Sequence, residues 1–319
     1  MTRPVSIVLP SLGTRELLAQ NLPALLAETA RRAAGDEVIV VDDTGRDELS
    51  AWMAGAFPSV LVAARPENGG FARALLTGVQ RARHEIVFSM NTDVRVRPGF
   101  LEPLVAHLAD EAVAAAVPRV LLDGDETRIE SLTEMVLSTG RLSIHMIGFD
   151  PADERRPAEA VPVAFAVGGT CLLRRAELLA AGGFDPLYEP FYWEDVDYCW
   201  AVWRRGGRIV YEPAAVVEHH HRGTIGAVVP KDVVRAAIEK NTLLFHWKNV
   251  DDSAVVREHL AELRREAVAA FLEGRAEELV WLNLALDQLD AALAARAARG
   301  PAARSFAAIL AAGRPPAGR

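Results

Sequence analysis

Val38-Ile39-Val40-Val41-Asp42-Asp43-Thr44-Gly45 is an unbroken apolar run that ends in two carboxylates and a turn. A strand wet on one face alternates apolar and polar residues; a run without alternation marks a strand covered on both faces, as in a parallel sheet. Working outward, the same unit recurs. Upstream, Val5-Ser6-Ile7-Val8-Leu9 stops at Pro10-Ser11 and leads into a helical stretch with Leu18, Leu22, Leu25 and Leu26 on one face, with Pro23 a point of bending. Downstream, Val60-Leu61-Val62 precedes Asn68-Gly69-Gly70, which opens a helix presenting Ala72, Leu75, Leu76 and Val79. Ile86-Val87-Phe88-Ser89-Met90 follows and stops at Asn91-Thr92-Asp93. Strand and helix in this rhythm predict an α/β fold, a mostly parallel Rossmann-like sheet wrapped by helices.

The totals narrow the function. At 319 residues the chain can bury a large core, and its formal charge of −8 argues against a nucleic-acid partner, whose phosphates need a basic surface. No apolar run approaches the roughly 18 residues of a membrane span, and no secretory leader is visible. Cys171 and Cys199 sit in apolar surroundings and read as reduced core residues. These features together predict a cytoplasmic protein.

In such sheets ligands collect beyond the carboxyl ends of the strands. Polar groups stand at those ends: Pro10 and Ser11, Asp42 and Asp43, and Asn91-Thr92-Asp93. Asp42 suits a ribose or a base, and Asn68 with Gly69 and Gly70 opens a helix start to a phosphate. Asp93 suits a hard divalent cation. Each motif alone also has a turn explanation, because Asp, Asn and Gly end strands everywhere.

A second constellation lies at Phe191-Tyr192-Trp193-Glu194-Asp195-Val196-Asp197. Val196, Cys199, Trp200 and Trp203 recur at helical spacing, and Arg204-Arg205-Gly206-Gly207 closes the helix. Glu194 and Asp195 therefore fall in its first turn, where the helix dipole favours ionised carboxylates. Arg208 to Tyr211 and Ala215 to Val217 read as short strands leading to His219-His220-His221. Gly168-Gly169-Thr170 reads as a place where a ligand approaches backbone, or as a simple bulge.

The ordered set Val41-Asp42-Asp43, Asn68-Gly69-Gly70-Phe71-Ala72, Asn91-Thr92-Asp93-Val94, Gly168-Gly169-Thr170, Trp193-Glu194-Asp195-Val196-Asp197 and Pro213 to His219 resembles the family 2 glycosyltransferases of GT-A fold, nearest the rhamnosyltransferase-like branch. The resemblance covers about residues 5 to 248. It implies a metal-assisted inverting transferase that takes a sugar from a nucleotide diphosphate donor, dTDP-rhamnose or a UDP-sugar. The acceptor is then a glycan or a lipid-linked hydroxyl, in cell-wall or polysaccharide biosynthesis.

Position by position, the resemblance puts Asp42 at the nucleoside and Asn91 in the family's Asp-x-Asp position; Pro10, Ser11, Asp43, Asn68, Gly69, Gly169 and Thr170, at strand ends and glycine turns, join them as candidate donor-binding residues. Asp93 and His219 become ligands of Mg2+ or Mn2+, and His220 and His221 are alternatives to His219. Asp195 becomes the catalytic base with Glu194 beside it, while Trp193 reads equally as an aromatic wall for the acceptor sugar or as a core residue. Asn91 stands where many relatives have Asp, and an amide oxygen is a poorer metal ligand than a carboxylate. Rival readings are a non-catalytic nucleotide-sugar binder and a nucleotidyltransferase; the latter would want a Gly-rich basic loop, faintly echoed by Pro10 to Arg15.

Residues 1–230 are expected to form the catalytic domain, 231–300 a helical extension, and 301–319 a loose tail. Lys231 to Lys248, including Lys240-Asn241, resembles the family's closing helix. After Asp251-Asp252-Ser253 come two long helices, Val255 to Leu272 and Ala276 to Ala298, the second with a stripe of Leu279, Leu282, Leu286 and Leu289. Ordinary packing is favoured for that stripe, with homodimerisation and contact with the inner membrane face as alternatives. The charged segment Asp150 to Pro157 is a candidate lid.

Overall fold

The computed structural model describes residues 2–46, 48–148, 157–220 and 229–315. The candidate lid at 150–156 and His221 lie outside the described residues.

Four apolar runs form the parallel half of one sheet: β1 (Val5–Ser11), β2 (Glu37–Asp42), β3 (Leu61–Ala64) and β4 (Ile86–Met90). Connecting them are α1 (Arg15–Arg32), α2 (Glu48–Ala56) and α3 (Gly70–Arg81). Helix α1 runs on through Pro23. Beyond β4 come β5 (Val94–Val96), α4 (Leu101–His107) and β6 (Val113–Leu122), then the hairpin of β7 (Thr133–Ser138) and β8 (Arg141–Met146). Next are β9 (Val161–Pro162), β10 (Thr170–Arg174), α5 (Arg175–Ala180), α6 (Glu194–Arg204) and β11 (Arg208–His219).

Among the described residues the sheet runs β3-β2-β1-β4-β10-β6-β11-β5, with β9 against β11. β10 is antiparallel to both β4 and β6, so the sheet is mixed at its centre. The segments expected as two short strands after Gly207 are one strand, β11, whose register on β6 shifts between Glu212 and Val216. Pro213 sits inside that shift, where a residue without an N–H is tolerated. Past the shift, β11 gains β5 as an antiparallel neighbour, with His219 opposite Val94. That pairing brings the end of β11 beside Asp93. The hairpin β7–β8 went unread in the sequence because its polarity is mixed; its turn at Gly140 is pressed against the backbone of His259.

The extension comprises α7 (Lys231–Asn249), α8 (Ser253–Leu272), α9 (Val280–Leu286), α10 (Leu289–Ala297) and α11 (Phe306–Ala312). Asp252 caps α8 as expected, accepting from the amides of Ala254 and Val255. The second long helix is broken: a 3-10 turn at Ala276–Leu279 precedes α9, and Asp287-Gln288 separates α9 from α10. Its buried positions are Trp281, Ala285 and Ala292, while Leu279 and Leu282 pack at the edge of the core and Leu286 is exposed. The stripe thus packs inward in part, onto the same apolar cluster that holds Leu243, Leu244 and Phe245 of α7.

The loose tail is corrected through residue 315. Ser305 caps α11, Phe306 lies 5.6 Å from the Trp200 ring, and the Arg304 guanidinium stands over Trp203 at 5.1 Å. Burying Phe306 and Ile309 offsets the entropy of ordering this segment. Among the described residues no helix is long and apolar enough to cross a membrane.

Candidate active site

The sheet order places the carboxyl ends of β2, β1 and β4 side by side, so Asp42, Ser11 and Asn91 share one edge. The β4 end is braced from the α1 side: Asn21 Nδ2 donates to the Thr92 carbonyl at 2.8 Å, and the Thr14 and Thr92 hydroxyls are 3.2 Å apart. The Asp42 carboxylate is buried and already accepts from the Thr44 amide and hydroxyl at 3.1 and 2.6 Å. Ser11 Oγ accepts from the Gly13 amide, and Pro10 is paired within the sheet.

Asp43 does different work from that expected. Its oxygens accept from the amides of Gly69 at 3.0 and 3.1 Å and Gly70 at 2.9 Å, and from Arg65 Nε at 2.7 Å. The protein's own carboxylate thus occupies the positive end of α3, where the sequence suggested a phosphate. Asn68 Oδ1 takes the Gly70 amide as well. The amides of Gly69 and Gly70 are therefore spent internally.

Asp93 and His219, which the resemblance would put on one cation, stand side by side. His219 Nε2 stands 3.2 Å from Asp93 Oδ1, and Nδ1 of the same ring is 2.6 Å from Glu130 Oε2. Burial opposes charge on this imidazole, but the Asp93 and Glu130 carboxylates outweigh it and push the ring up to about 9. A second carboxylate behind a histidine fixes its orientation and raises its basicity, as around many metal-bound imidazoles. Asp93 and His219 therefore fit a divalent cation, one oxygen and one nitrogen, with Glu130 on the far side of the ring. Among the described residues no three His, Cys, Asp or Glu side chains form a complete cage. Further ligands would have to come from a bound substrate, the usual situation for Mg2+ on phosphates. His220 turns away: its amide donates to the Asp93 carbonyl at 3.0 Å and its Nε2 lies 3.4 Å from Glu218.

Asp195 and Glu194 begin α6. Asp195 Oδ2 accepts from the Gly168 amide at 2.8 Å, and Oδ1 from the Val196 amide. The next residue, Gly169, accepts the Asn91 amide on its carbonyl at 2.7 Å, and a Cβ on Gly169 would collide with the Asn91 side chain. Two successive glycines thus join the α6 carboxylate to the turn that carries Asp93. The helix start and the backbone amides favour the ionised form of Asp195, but burial outweighs them and raises its pKa above the usual aspartate range. Burial, and then the charge of Asp195, push Glu194 up to about 8. A carboxyl raised toward neutrality is a better proton acceptor than an ordinary aspartate.

At two other residues the sequence left the role open. The Trp193 indole is buried and packs 4.9 Å from Phe245, so it belongs to the core and not to an acceptor wall. The exposed ring of that loop is Tyr192, at 40 % of its full accessibility. Thr170 is sealed inside the sheet, opposite Met90. Sequence reasoning missed Glu130, which carries no motif and reaches His219 only through the fold. It also missed Asp197, a buried carboxylate that accepts from Tyr188, Lys248 and Asn249.

Comparison with known proteins bears on the family and the fold. The sequence profile described as Glycosyl transferase family 2 matches residues 6–179. Pre-mycofactocin glycosyltransferase of Mycobacterium tuberculosis (strain CDC 1551 / Oshkosh) is 30 % identical over 228 residues, 69 % of this chain and 43 % of that protein. Polypeptide N-acetylgalactosaminyltransferase 10 of Mus musculus is 26 % identical over 213 residues, 62 % of this chain and 34 % of its own. The chain thus spans less than half the length of these relatives. Among solved structures, GalNAc-T7 with UDP, GalNAc and Mn2+ superposes with a TM-score of 0.62 at 17 % identity, over 79 % of this chain and 49 % of that one. The mannosyltransferase PcManGT from Pyrobaculum calidifontis, in complex with GDP-Man and Mn2+, does so with a TM-score of 0.52 at 20 % identity, over 97 % and 78 %. These likenesses establish the GT-A fold. With its profile matched across more than half of its length, the chain belongs to Glycosyl transferase family 2.

Proposed function

We propose that the protein is an inverting glycosyltransferase that moves a sugar from a nucleotide diphosphate onto a hydroxyl of a glycan or lipid-linked acceptor. The observation that carries this reading is the Gly168-Gly169 link, which holds Asp195 and the Asn91-Thr92-Asp93 turn against adjacent residues. Site chemistry needs both in one place: a carboxylate to take the acceptor's proton, and groups that bind the departing diphosphate.

Asp195 accepts the hydroxyl proton as the acceptor oxygen attacks the anomeric carbon, and the bond from that carbon to the diphosphate oxygen breaks. One displacement inverts the centre. Asp93 and His219 would hold a divalent cation, which supplies Lewis-acid stabilisation of the diphosphate's growing charge when bound. Glu130 orients His219 for that task. Asp42 and Ser11, at neighbouring strand ends, border the nucleoside. Tyr192, exposed beside Glu194, offers an aromatic face to an acceptor sugar.

The similar structures, which hold UDP with Mn2+ and GDP-Man with Mn2+, support a nucleotide diphosphate sugar as the donor class. A UDP-sugar or dTDP-rhamnose is the proposed donor here. Calorimetric titration with UDP, dTDP and GDP, each with and without Mn2+, tests the reading together with release of nucleoside diphosphate from the matching sugars. Metal-enhanced binding plus turnover supports it; absence of both overturns it. A second reading, a nucleotide-sugar binder without turnover, is favoured by Asn91 in place of a carboxylate, and binding without release would select it.

A further inference from the structure

Helix α7 carries the dipeptide Lys-Asn twice, at Lys240-Asn241 and Lys248-Asn249. A separation of eight residues is a little over two helical turns, so both pairs face the same side. All four side chains are buried, an unusual placement for two lysines and two asparagines. Each reaches the single segment between Asp185 and Asp197.

The contacts divide by pair. Asn241 Nδ2 lies within hydrogen-bond distance of three backbone carbonyls, those of Tyr188 at 2.7 Å, Phe191 at 3.0 Å and Tyr192 at 2.8 Å. Lys240 Nζ donates to the Glu189 carbonyl at 2.8 Å. Two adjacent residues of α7 therefore face four carbonyls of this loop, with the two Asn241 N–H protons shared among three of them. The second pair grips the beginning of α6: Lys248 Nζ bridges Asp185 and Asp197 at 2.6 and 2.5 Å, and Asn249 Nδ2 donates to Asp197 Oδ1 at 2.7 Å.

Between the two grips the backbone is strained. Tyr192 and Trp193 both adopt left-handed conformations, with φ of 71° and 79°, which bulky residues hold only when their surroundings over-determine them. Glu194 and Asp195 follow immediately.

We infer that the two Lys-Asn pairs of α7 are a positioning device that holds the strained Tyr192-Trp193 turn and thereby aims Asp195, with Asn241 as its principal member. The inference rests on the glycosyltransferase reading for the meaning of that aim, but the grip itself can be measured separately. Loss of the Asn241 donor frees the 188–193 loop, relaxes the turn and lets the first residues of α6 drift, while the ends of β1, β2 and β4 are untouched.

The test uses the full chain with Asn241→Asp, which keeps the shape and removes the donor, and Lys240→Met as a second variant should the first fail to fold. Amide exchange followed by mass spectrometry should accelerate about tenfold or more across residues 188–197 and stay unchanged in β1, β2 and β4. Where wild type releases diphosphate from a UDP-, dTDP- or GDP-sugar, kcat should fall about thirtyfold or more while the donor KM stays within about threefold. Exchange that is unchanged in 188–197, or that rises equally throughout the sheet, overturns the inference, as does a loss confined to KM. Wild type that consumes none of these sugars refutes the activity and leaves the exchange arm to decide the grip.

Discussion

The Gly168 amide donates to Asp195 Oδ2 at 2.8 Å, across 27 residues of chain. This bond ties the carboxylate that opens α6 to the segment entering β10, and through Gly169 to Asn91 at the end of β4. Two halves of the sequence, each with weak local motifs, meet there. A Cβ on Gly168 would crowd both Phe71 and Asp195, so the approach depends on glycine. Asp195→Asn keeps the side chain's shape and, with its Oδ1 turned to Gly168, one of the two amide hydrogen bonds, while it removes the proton acceptor. Binding of UDP with Mn2+ should stay within about threefold of wild type, while transfer falls about 10²- to 10⁴-fold. Turnover near wild type would remove Asp195 from its role.

Glu130 stands one step behind Asp93 and His219, the proposed cation ligands. Its carboxylate 2.6 Å from His219 Nδ1 leaves Nε2 aimed at Asp93. Glu130→Gln should weaken Mn2+ binding in the presence of UDP about 10- to 100-fold, read by calorimetry, with the melting temperature little changed. Equal affinity in the variant would mean that His219 is held by packing alone.

The sheet was legible because its strands are buried on both faces and read as continuous runs: Val38 to Val41 and Ile86 to Met90 fall within β2 and β4. The Asp93–His219 meeting was legible only through resemblance, since the register shift after Glu212 that delivers His219 has no local signature beyond Pro213. Trp193 stayed ambiguous because an aromatic next to a carboxylate looks the same in sequence whether it faces solvent or Phe245. Asp43 misled for a related reason. An Asp at a strand end and a Gly-Gly helix start both suggest a ligand, and nothing in the sequence tells that they satisfy each other. The Phe306 helix was missed because Ala-rich chain after Pro301 gives a weak pattern until Trp200 and Trp203 are seen beneath it.

Glu194 sets a pH dependence of stability. Its folded pKa is pushed up to about 8, first by burial and then by Asp195, so from the ordinary glutamate range to pH 8 the folded state holds a proton that the unfolded chain has released. Stability should therefore decline as pH rises through that window. Glu194→Gln removes this penalty. Its melting temperature should match wild type near pH 5 and exceed it at pH 8.5, measured by differential scanning calorimetry at constant ionic strength. A difference that stays constant with pH would show that Glu194 titrates normally.

His246 works in the opposite direction. Its ring is stacked on His259 at 4.4 Å, its Nε2 accepts the Leu142 amide at 2.8 Å, and it is 2 % exposed. Burial, then the neighbouring His259 and Arg141, press its pKa down to about 3. The folded state therefore keeps it neutral where the unfolded chain takes up a proton, and stability drops as pH falls below the usual histidine value. Linkage for this one group costs about 2 kcal/mol at pH 5 relative to pH 8. The contacts at stake join β8 to α7, and through His259 to α8, so acid should loosen the hairpin and the helical extension before the parallel half of the sheet. Amide exchange at pH 5 should rise in 133–146 and 253–272 ahead of β1 and β2. His246→Gln, whose amide can still accept from Leu142 and carries no titrating group, should flatten the fall in melting temperature between pH 7 and pH 5. An unchanged slope in that variant would assign the acid sensitivity to other groups.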